Sequence, residues 1–242
     1  MKGVVLAGGL GTRLLPMTRV TNKHLLPVYD RPMIHYPLQT LVEAGISEIL
    51  LVTGGNHAGD FLRLLGNGRD VGLKHLHYAY QEGEGGIAAA LALAEDFADG
   101  EAVCVMLGDN LLQRSIRPAV ERFARTGRGG LVLLKEVPDP ERFGVPVFQD
   151  GRIVTIEEKP EAPRSRCAVI GVYLYDARVF EIIRTLTPSG RGELEITDVN
   201  NRYLAWGELD FDYVDGWWTD AGTVESLYRA VTLVARERAE GR

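Results

Sequence analysis

MKGVVLAGGLGTRLL, residues 1–15, is the stretch that decides the fold. Residues 2–7 form a short apolar, β-branched run with the composition of a buried strand, and Gly8-Gly9-Leu10-Gly11-Thr12-Arg13 follows without a break. A strand that opens into a glycine-rich turn exposes several backbone N–H groups with no side chains in the way, which suits phosphate oxygens. The spacing departs from the dinucleotide pattern G-x-G-x-x-G, because Leu14 stands at the last glycine, and from the Walker pattern, because no Gly-Lys-Ser/Thr follows. Taken alone, a tight turn with no ligand accounts for the glycines almost equally well. Arg13, a rigid fork of donors, and Lys23 beyond it strengthen the case for an anion.

Working outward, strands and helices alternate through the first half of the chain. Apolar strands are predicted over residues 48–53 and 102–107, and an alternating one over 74–80. Helices are predicted over residues 33–44 (opened by Pro32 and ended by Gly45), 58–65 and 84–97. That rhythm implies a mostly parallel sheet covered on both faces. Residues 13–31 are too rich in Pro, Thr and Asn for a regular element and read as a long functional loop tied down by Leu25, Leu26 and Val28. After about residue 115 the pattern turns more antiparallel. A helix over 116–125 and a strand over 130–137 lead to a hairpin, 145–148 and 152–158, turning at Asp150-Gly151. A strand over 168–175, helices over 178–186 and 196–206, a strand over 209–214, a turn over 215–220 and a helix over 224–238 complete the chain. The expected organisation is one α/β domain with two lobes, a parallel one over 1–115 and one of more antiparallel character over 116–242.

The 242 residues carry a net charge of −6, which argues against general binding of nucleic acid or anionic membranes. A phosphate ligand then requires positive potential built locally, from amides, a few basic side chains and a cation. Only Lys2, Lys23, Lys74, Lys135 and Lys159 are lysines among 27 basic residues, so a lysine here marks a place for a compact ammonium. Cys104 and Cys167 sit in apolar runs and read as reduced core thiols. No apolar run reaches a membrane span and no secretory leader precedes the first strand, so a cytoplasmic location is expected.

Four further constellations carry possible chemistry. Leu107-Gly108-Asp109-Asn110 lies at the carboxyl end of a strand, where open α/β sheets bind ligands, and Asp109 suits Mg²⁺ as well as it suits an Asx turn. Asp220, in Trp218-Thr219-Asp220-Ala221-Gly222-Thr223, is either a second metal carboxylate or a polar residue ahead of a helix. Glu158 and Lys159 offer a hydroxyl acceptor and a point charge, although a solvated charge run explains them better in isolation. Gln81 has an amide able to read a base edge, or is a plain loop residue. The five histidines form no H-E-x-x-H motif and no Ser lies in G-x-S-x-G, so zinc and hydrolase-triad chemistry drop out.

Together these motifs resemble the sugar-1-phosphate nucleotidyltransferases, most closely the glucose-1-phosphate thymidylyltransferases. The resemblance runs in order through LAGGLGTRLLPMT, NKHLLPVYDRPMI, LGDN, PERFGV, EEKP, GVYLYD, GRGELEITDVN and WTDAGT. It implies a Rossmann-like three-layer α/β/α sandwich with a central mixed sheet, of the nucleotide-diphospho-sugar transferase type. It also implies attack by a glucose-1-phosphate oxygen on the α-phosphorus of dTTP, giving dTDP-glucose and pyrophosphate with no covalent intermediate. UTP, another hexose-1-phosphate or a non-catalytic nucleotide-sugar-binding regulatory role stand as alternatives. By the resemblance, Leu6, Gly8, Gly9, Gly11, Thr12, Arg13, Gln81, Gly86 and Asp109 bind nucleotide. Asn110, Gly144, Glu158, Lys159, Gly171 and Tyr173 bind sugar phosphate. Arg13, Lys23, Asp109 and Lys159 are the catalytic set, and Asp109 and Asp220 hold Mg²⁺ from opposite lobes.

Two features depart from the family pattern. The base loop usually reads Asp-Gly-Leu-Ala-Gln but is Gly85-Gly86-Ile87-Ala88-Ala89 here, which loosens the expected preference for thymine over uracil. The chain also ends soon after its last predicted helix, without the additional helices that build an effector site in longer relatives. Feedback at such a site is therefore not expected, while a homo-oligomer is.

Overall fold

The computed structural model describes residues 1–241. In chain order the first strands are β1 (Lys2–Ala7), β2 (Pro27–Val28), β3 (Arg31–Pro32), β4 (Glu48–Gly54), β5 (His75–Gln81) and β6 (Val103–Leu107). They are followed by β7 (Asn110–Leu112), β8 (Gly130–Glu136), β9 (Gly144–Gln149), β10 (Arg152–Glu158), β11 (Cys167–Tyr175), β12 (Leu209–Tyr213) and β13 (Trp218–Asp220). The α-helices are α1 (His35–Glu43), α2 (Ala58–Leu65), α3 (Ile87–Ala92), α4 (Glu95–Ala98), α5 (Arg117–Thr126), α6 (Val179–Arg184), α7 (Ile196–Ala205) and α8 (Val224–Glu240). The fold is α/β with mixed strand pairing, as the alternation of apolar runs and helical periods predicts.

The chain divides into two compact units that interleave along the sequence rather than meeting at residue 115. A terminal unit takes Lys2–Glu84, Met106–Arg117 and Asp215–Arg242, and a central unit takes Met1, Gly85–Val105 and Pro118–Val214. In the terminal unit β1, β4 and β5 pair in parallel, Val4 opposite Leu50 and Leu50 opposite His77. Every residue of β4 after Glu48 is buried, which is why it reads as a continuous apolar run rather than an alternation. Val28, Met33, Leu111, Ala221, Ala230 and Val234 form a separate apolar cluster that seats α8 beside β2 and β7. Helix α8 begins in a capping box, in which the Thr223 hydroxyl accepts from the Ser226 N–H and the Ser226 hydroxyl accepts from the Thr223 N–H.

In the central unit β11 pairs antiparallel with β8, β9 with β10, and β12 runs parallel to β8. Strand β11 is buried along its whole length. Tyr175 and Tyr203 stack at 5.5 Å between ring centroids, and the Tyr175 hydroxyl donates to Asn200 at 2.6 Å, so α7 is locked to the sheet by both packing and a polar contact. The predicted hairpin turn stands, with Asp150 and Gly151 both at positive φ as a type I′ connection demands.

Three expectations are corrected. The helix expected over 84–97 is two short helices starting at Ile87, because Gly86 sits at φ 91, outside the helical region. Residues 13–31 are not featureless but hold short 3₁₀ turns at Thr12–Leu14, Met17–Arg19 and Lys23–Leu25 and the β2–β3 ladder. The turn expected over 215–220 ends in a strand, since β13 pairs antiparallel with β7, Asp220 opposite Asn110. Both cysteines are free and buried, as expected.

Candidate active site

The terminal unit carries the phosphate turn and both candidate metal carboxylates. After β1 the chain leaves the sheet at Gly8, and Leu14 donates its N–H to the Gly11 carbonyl at 2.9 Å to close the turn. The Thr18 hydroxyl donates to the same carbonyl at 2.8 Å. The Leu10 amide donates to Glu84 Oε1 at 3.4 Å. Gln81, at the end of β5, lies against Gly8: a Cβ on Gly8 would stand 2.4 Å from Gln81 Oε1 and would push the end of that amide aside. The Leu6 carbonyl accepts from the Gly108 N–H at 2.9 Å and so ties the first strand to the Asp109 turn.

Lys23 is placed by the loop that precedes α1. Asn22, His24, Leu26 and Val28 are buried in alternation, and the Asn22 side chain accepts from the His24 N–H at 2.9 Å. His24 is fully enclosed; burial and then the Lys23 charge push its imidazole down to about 3, so it is neutral. With both neighbours buried, Lys23 extends to Asp109, Nζ to Oδ2 at 2.5 Å. Burial alone would raise the Asp109 pKa, but the Lys23 ammonium and hydrogen bonds from Lys23 and Asn110 hold the carboxyl well below the usual range. Asn110 donates to Asp109 Oδ1 at 3.1 Å and accepts from Trp218 Nε1 at 2.8 Å, which orients the carboxylate.

Asp109 and Asp220 meet across the β7–β13 ladder, where the Ala221 N–H donates to the Asp109 carbonyl at 2.8 Å. Both belong to the terminal unit, which corrects the expectation of opposite lobes. Gly222 marks the point of convergence. A Cβ there would stand 3.1 Å from Arg13 Nη2, 3.2 Å from Asp220 Oδ2 and 3.5 Å from Asp109 Oδ2. Two hard carboxylate oxygens around an unfilled space suit Mg²⁺, which keeps several waters and takes one or two carboxylates. Among the described residues no group of three or more His, Cys, Asp or Glu is placed to hold a metal ion.

The central unit brings together Gly144, Glu158 and Lys159. Gly144 and Glu158 are register partners at the open end of the β9–β10 hairpin. Lys159 follows at φ 44, a left-handed conformation that costs a non-glycine residue about 1–2 kcal/mol and is held here by its N–H donating to the Phe143 carbonyl at 3.0 Å. Its ammonium lies 3.5 Å from Glu158. Glu158 also accepts from the Thr197 hydroxyl at 2.5 Å and from Arg191 at 3.3 Å, and Arg191 is itself gripped by Glu195 at 2.8 Å. Arg191, Glu195 and Thr197 escape the sequence reading; the available signal was an arginine between two glycines in a turn directly ahead of a helix. Gly171 and Tyr173 lie on β11 where its ladder to β8 is interrupted, and Tyr173 is buried and stacked on Tyr175. Gly86, with a Cβ position 2.6 Å from the Leu194 carbonyl oxygen, is packed against residues 193–194 of the same unit.

The terminal unit thus holds a glycine-rich turn, a guanidinium and a carboxylate pair, and the central unit a Lys–Arg–Glu cluster. The chain belongs to the nucleotidyl transferase family, whose model matches residues 2–237. It is 50% identical over 238 residues to a glucose-1-phosphate thymidylyltransferase of Actinoplanes sp. (97% of this chain, 78% of that one). The corresponding Neisseria meningitidis protein is 46% identical over 97% of this chain and 82% of its own length. Among solved structures, one described as a glucose-1-phosphate thymidylyltransferase from Bacillus anthracis in complex with a sucrose superposes at a TM-score of 0.92 with 52% identity, over 96% of this chain and 94% of that one. A UDP-glucose pyrophosphorylase complexed with UDP-glucose superposes at 0.83 with 25% identity, over 98% of both chains.

Proposed function

We propose that the chain is a glucose-1-phosphate thymidylyltransferase, joining dTTP to glucose-1-phosphate and releasing pyrophosphate. The observation that carries this reading is the convergence of Arg13, Asp109 and Asp220 on the space at Gly222. A phosphate oxygen of glucose-1-phosphate attacks the α-phosphorus of dTTP, the bond from that phosphorus to the bridging oxygen breaks, and the electron pair leaves with pyrophosphate. No proton need move and no covalent enzyme species forms, so the protein contributes positioning and charge stabilisation.

The amides of Gly8, Gly9, Gly11 and Thr12 hold the triphosphate, and the Arg13 fork takes up charge on the α-phosphoryl and the leaving group. Lys23, held on Asp109, adds its positive charge beside the phosphates. Asp109 and Asp220 are the residues that would hold Mg²⁺, which when bound supplies Lewis-acid neutralisation of the phosphates. In the terminal unit Gln81 reads the base, with Leu6 closing the floor, and in the central unit the Gly86 amide belongs to the base loop. In the central unit Lys159, joined by Arg191, binds the sugar phosphate, and Glu158 and Gly144 accept and admit the sugar hydroxyls. Gly171 and Tyr173 complete that pocket. A cytoplasmic location and a homo-oligomer belong to the same proposal; among the described residues no helix is long and apolar enough to cross a membrane.

The test is a pyrophosphate-release panel of dTTP, UTP and other triphosphates against glucose-1-phosphate and related hexose phosphates, with Mg²⁺. The reading expects dTTP with glucose-1-phosphate to turn over fastest, with UTP behind it by no more than about tenfold to two-hundredfold, since a methyl group discriminates weakly. Release from no pair would end the enzyme reading.

A further inference from the structure

Residues 189–195 of the central unit face two neighbourhoods at once. The Leu194 N–H donates to the Gly85 carbonyl at 2.8 Å, and the Leu194 carbonyl accepts from the Ala88 N–H at 3.1 Å. This pair of bonds clips the hairpin to the base loop, and it is the reason Gly86 cannot carry a Cβ. Three residues upstream, Arg191 reaches Glu158 at 3.3 Å, next to Lys159 in the sugar-phosphate cluster. The segment between is a tight hairpin, closed by Gly192 N–H to the Ser189 carbonyl and Ser189 N–H to the Glu193 carbonyl, both at 2.8 Å. Glu195, buried, grips the hairpin from beneath: it accepts from the Ser189 hydroxyl at 2.7 Å and from Arg191 Nη2 at 2.8 Å through each oxygen.

We propose that this hairpin couples the two substrates, with Glu195 as the positioning residue, so that a filled sugar-phosphate pocket strengthens nucleotide binding. The inference rests on the function proposed above. Arg191 is held chiefly by Glu195, and Glu158 at 3.3 Å and Glu193 at 3.6 Å lie within reach of the same guanidinium. A phosphate at Lys159 supplies a doubly charged partner and pins the guanidinium. Pinning Arg191 orders residues 189–195 and, through the Leu194 peptide, the base loop. The nucleotide then meets a loop whose ordering has already been accomplished, and its affinity rises without any contact between the nucleotide and Arg191. Reciprocity requires the nucleotide to tighten glucose-1-phosphate by the same factor.

The experiment measures binding of α,β-methylene-dTTP, which resists transfer, with and without saturating glucose-1-phosphate, in wild type, Glu195→Gln and Ser189→Ala. Wild type is expected to show a coupling factor of about tenfold, within the ordinary range for linked sites. The factor falls below about threefold in Glu195→Gln and is reduced in Ser189→Ala, which removes a single hydrogen bond and leaves the charges intact. Amide hydrogen exchange provides the independent readout. Glucose-1-phosphate alone should slow exchange over residues 85–89 in wild type and not in Glu195→Gln. Both ligands binding with a factor of one, or an undiminished factor in both variants, overturns the coupling and leaves the proposed function standing. Failure of wild type to bind either ligand overturns the function and the coupling with it.

Discussion

Two acid–base pairs, Lys23–Asp109 and Arg191–Glu195, do comparable jobs by opposite means. Lys23 and Asp109 are 86 residues apart, and both side chains are largely enclosed, at 14% and 13% exposure. Arg191 and Glu195 are four residues apart on one hairpin, and the guanidinium is 39% exposed over a carboxylate at 10%. The first pair is a product of the whole terminal unit, and its geometry is set before any ligand arrives. The second is a local device whose cation can still change partners. A buried pair has already met its desolvation cost and offers a pre-aimed carboxylate, whereas a half-exposed arginine retains the freedom to follow a phosphate.

That contrast can be broken most severely at Asp109. Asp109→Asn keeps the shape and removes the charge that Lys23 neutralises, so kcat should fall by about 10²–10³-fold or more while urea unfolding stays cooperative. Near-normal turnover would remove Asp109 from the proposed metal pair. Gly222→Ala tests the same region through space rather than charge. Its methyl group would crowd Arg13 Nη2 at 3.1 Å and Asp220 Oδ2 at 3.2 Å, and a shift of each by a few tenths of an ångström should lower kcat by less than the ~10²-fold that a full ångström costs. Steady-state kinetics with an unchanged far-UV spectrum would distinguish this from unfolding.

At the hairpin the expected effect is smaller and of another kind. Arg191→Ala should raise KM for glucose-1-phosphate by about tenfold to a hundredfold, the value of a charge-assisted hydrogen bond, and change KM for dTTP less. An equal rise in both would place Arg191 outside the sugar-phosphate pocket. The smallest effect is on stability. His24 has a folded pKa of about 3 against 6.5 unfolded, so the unfolded chain takes up the proton first. His24 therefore contributes fully above about pH 6.5, and stability falls as pH drops toward 3, by at most about 1.4 kcal/mol per pH unit. Denaturation midpoints at several pH values should show that slope reduced in His24→Gln.

Much of the frame was legible before any coordinates. Helix α2 falls on its predicted residues, and β4, β8 and β11 fall within one residue of theirs, because long apolar or strongly periodic runs carry their own signal. Strand β13 was hidden because three residues cannot show a period, and its existence depends on β7 being alongside. The tether of residues 22–28 was half legible. Leu26 and Val28 read as anchors, but Asn22 and His24 are buried beside them, polar residues that enter a core because each finds a partner there.

The sequence by itself determined the α/β alternation, the glycine-rich turn after the first strand, the two free core thiols and which aspartates and lysines to suspect. Periodicity and glycine placement are local properties, and local properties survive in a string of letters. Only the tertiary structure decided that Asp109 and Asp220 share one ladder, that Gly222 keeps open the space between them, and that Arg191 and Glu195 stand beside Glu158. Those facts depend on strand register and on loops meeting across large sequence separations, and the free energy that fixes such meetings comes from burial and pairing distributed over a whole unit.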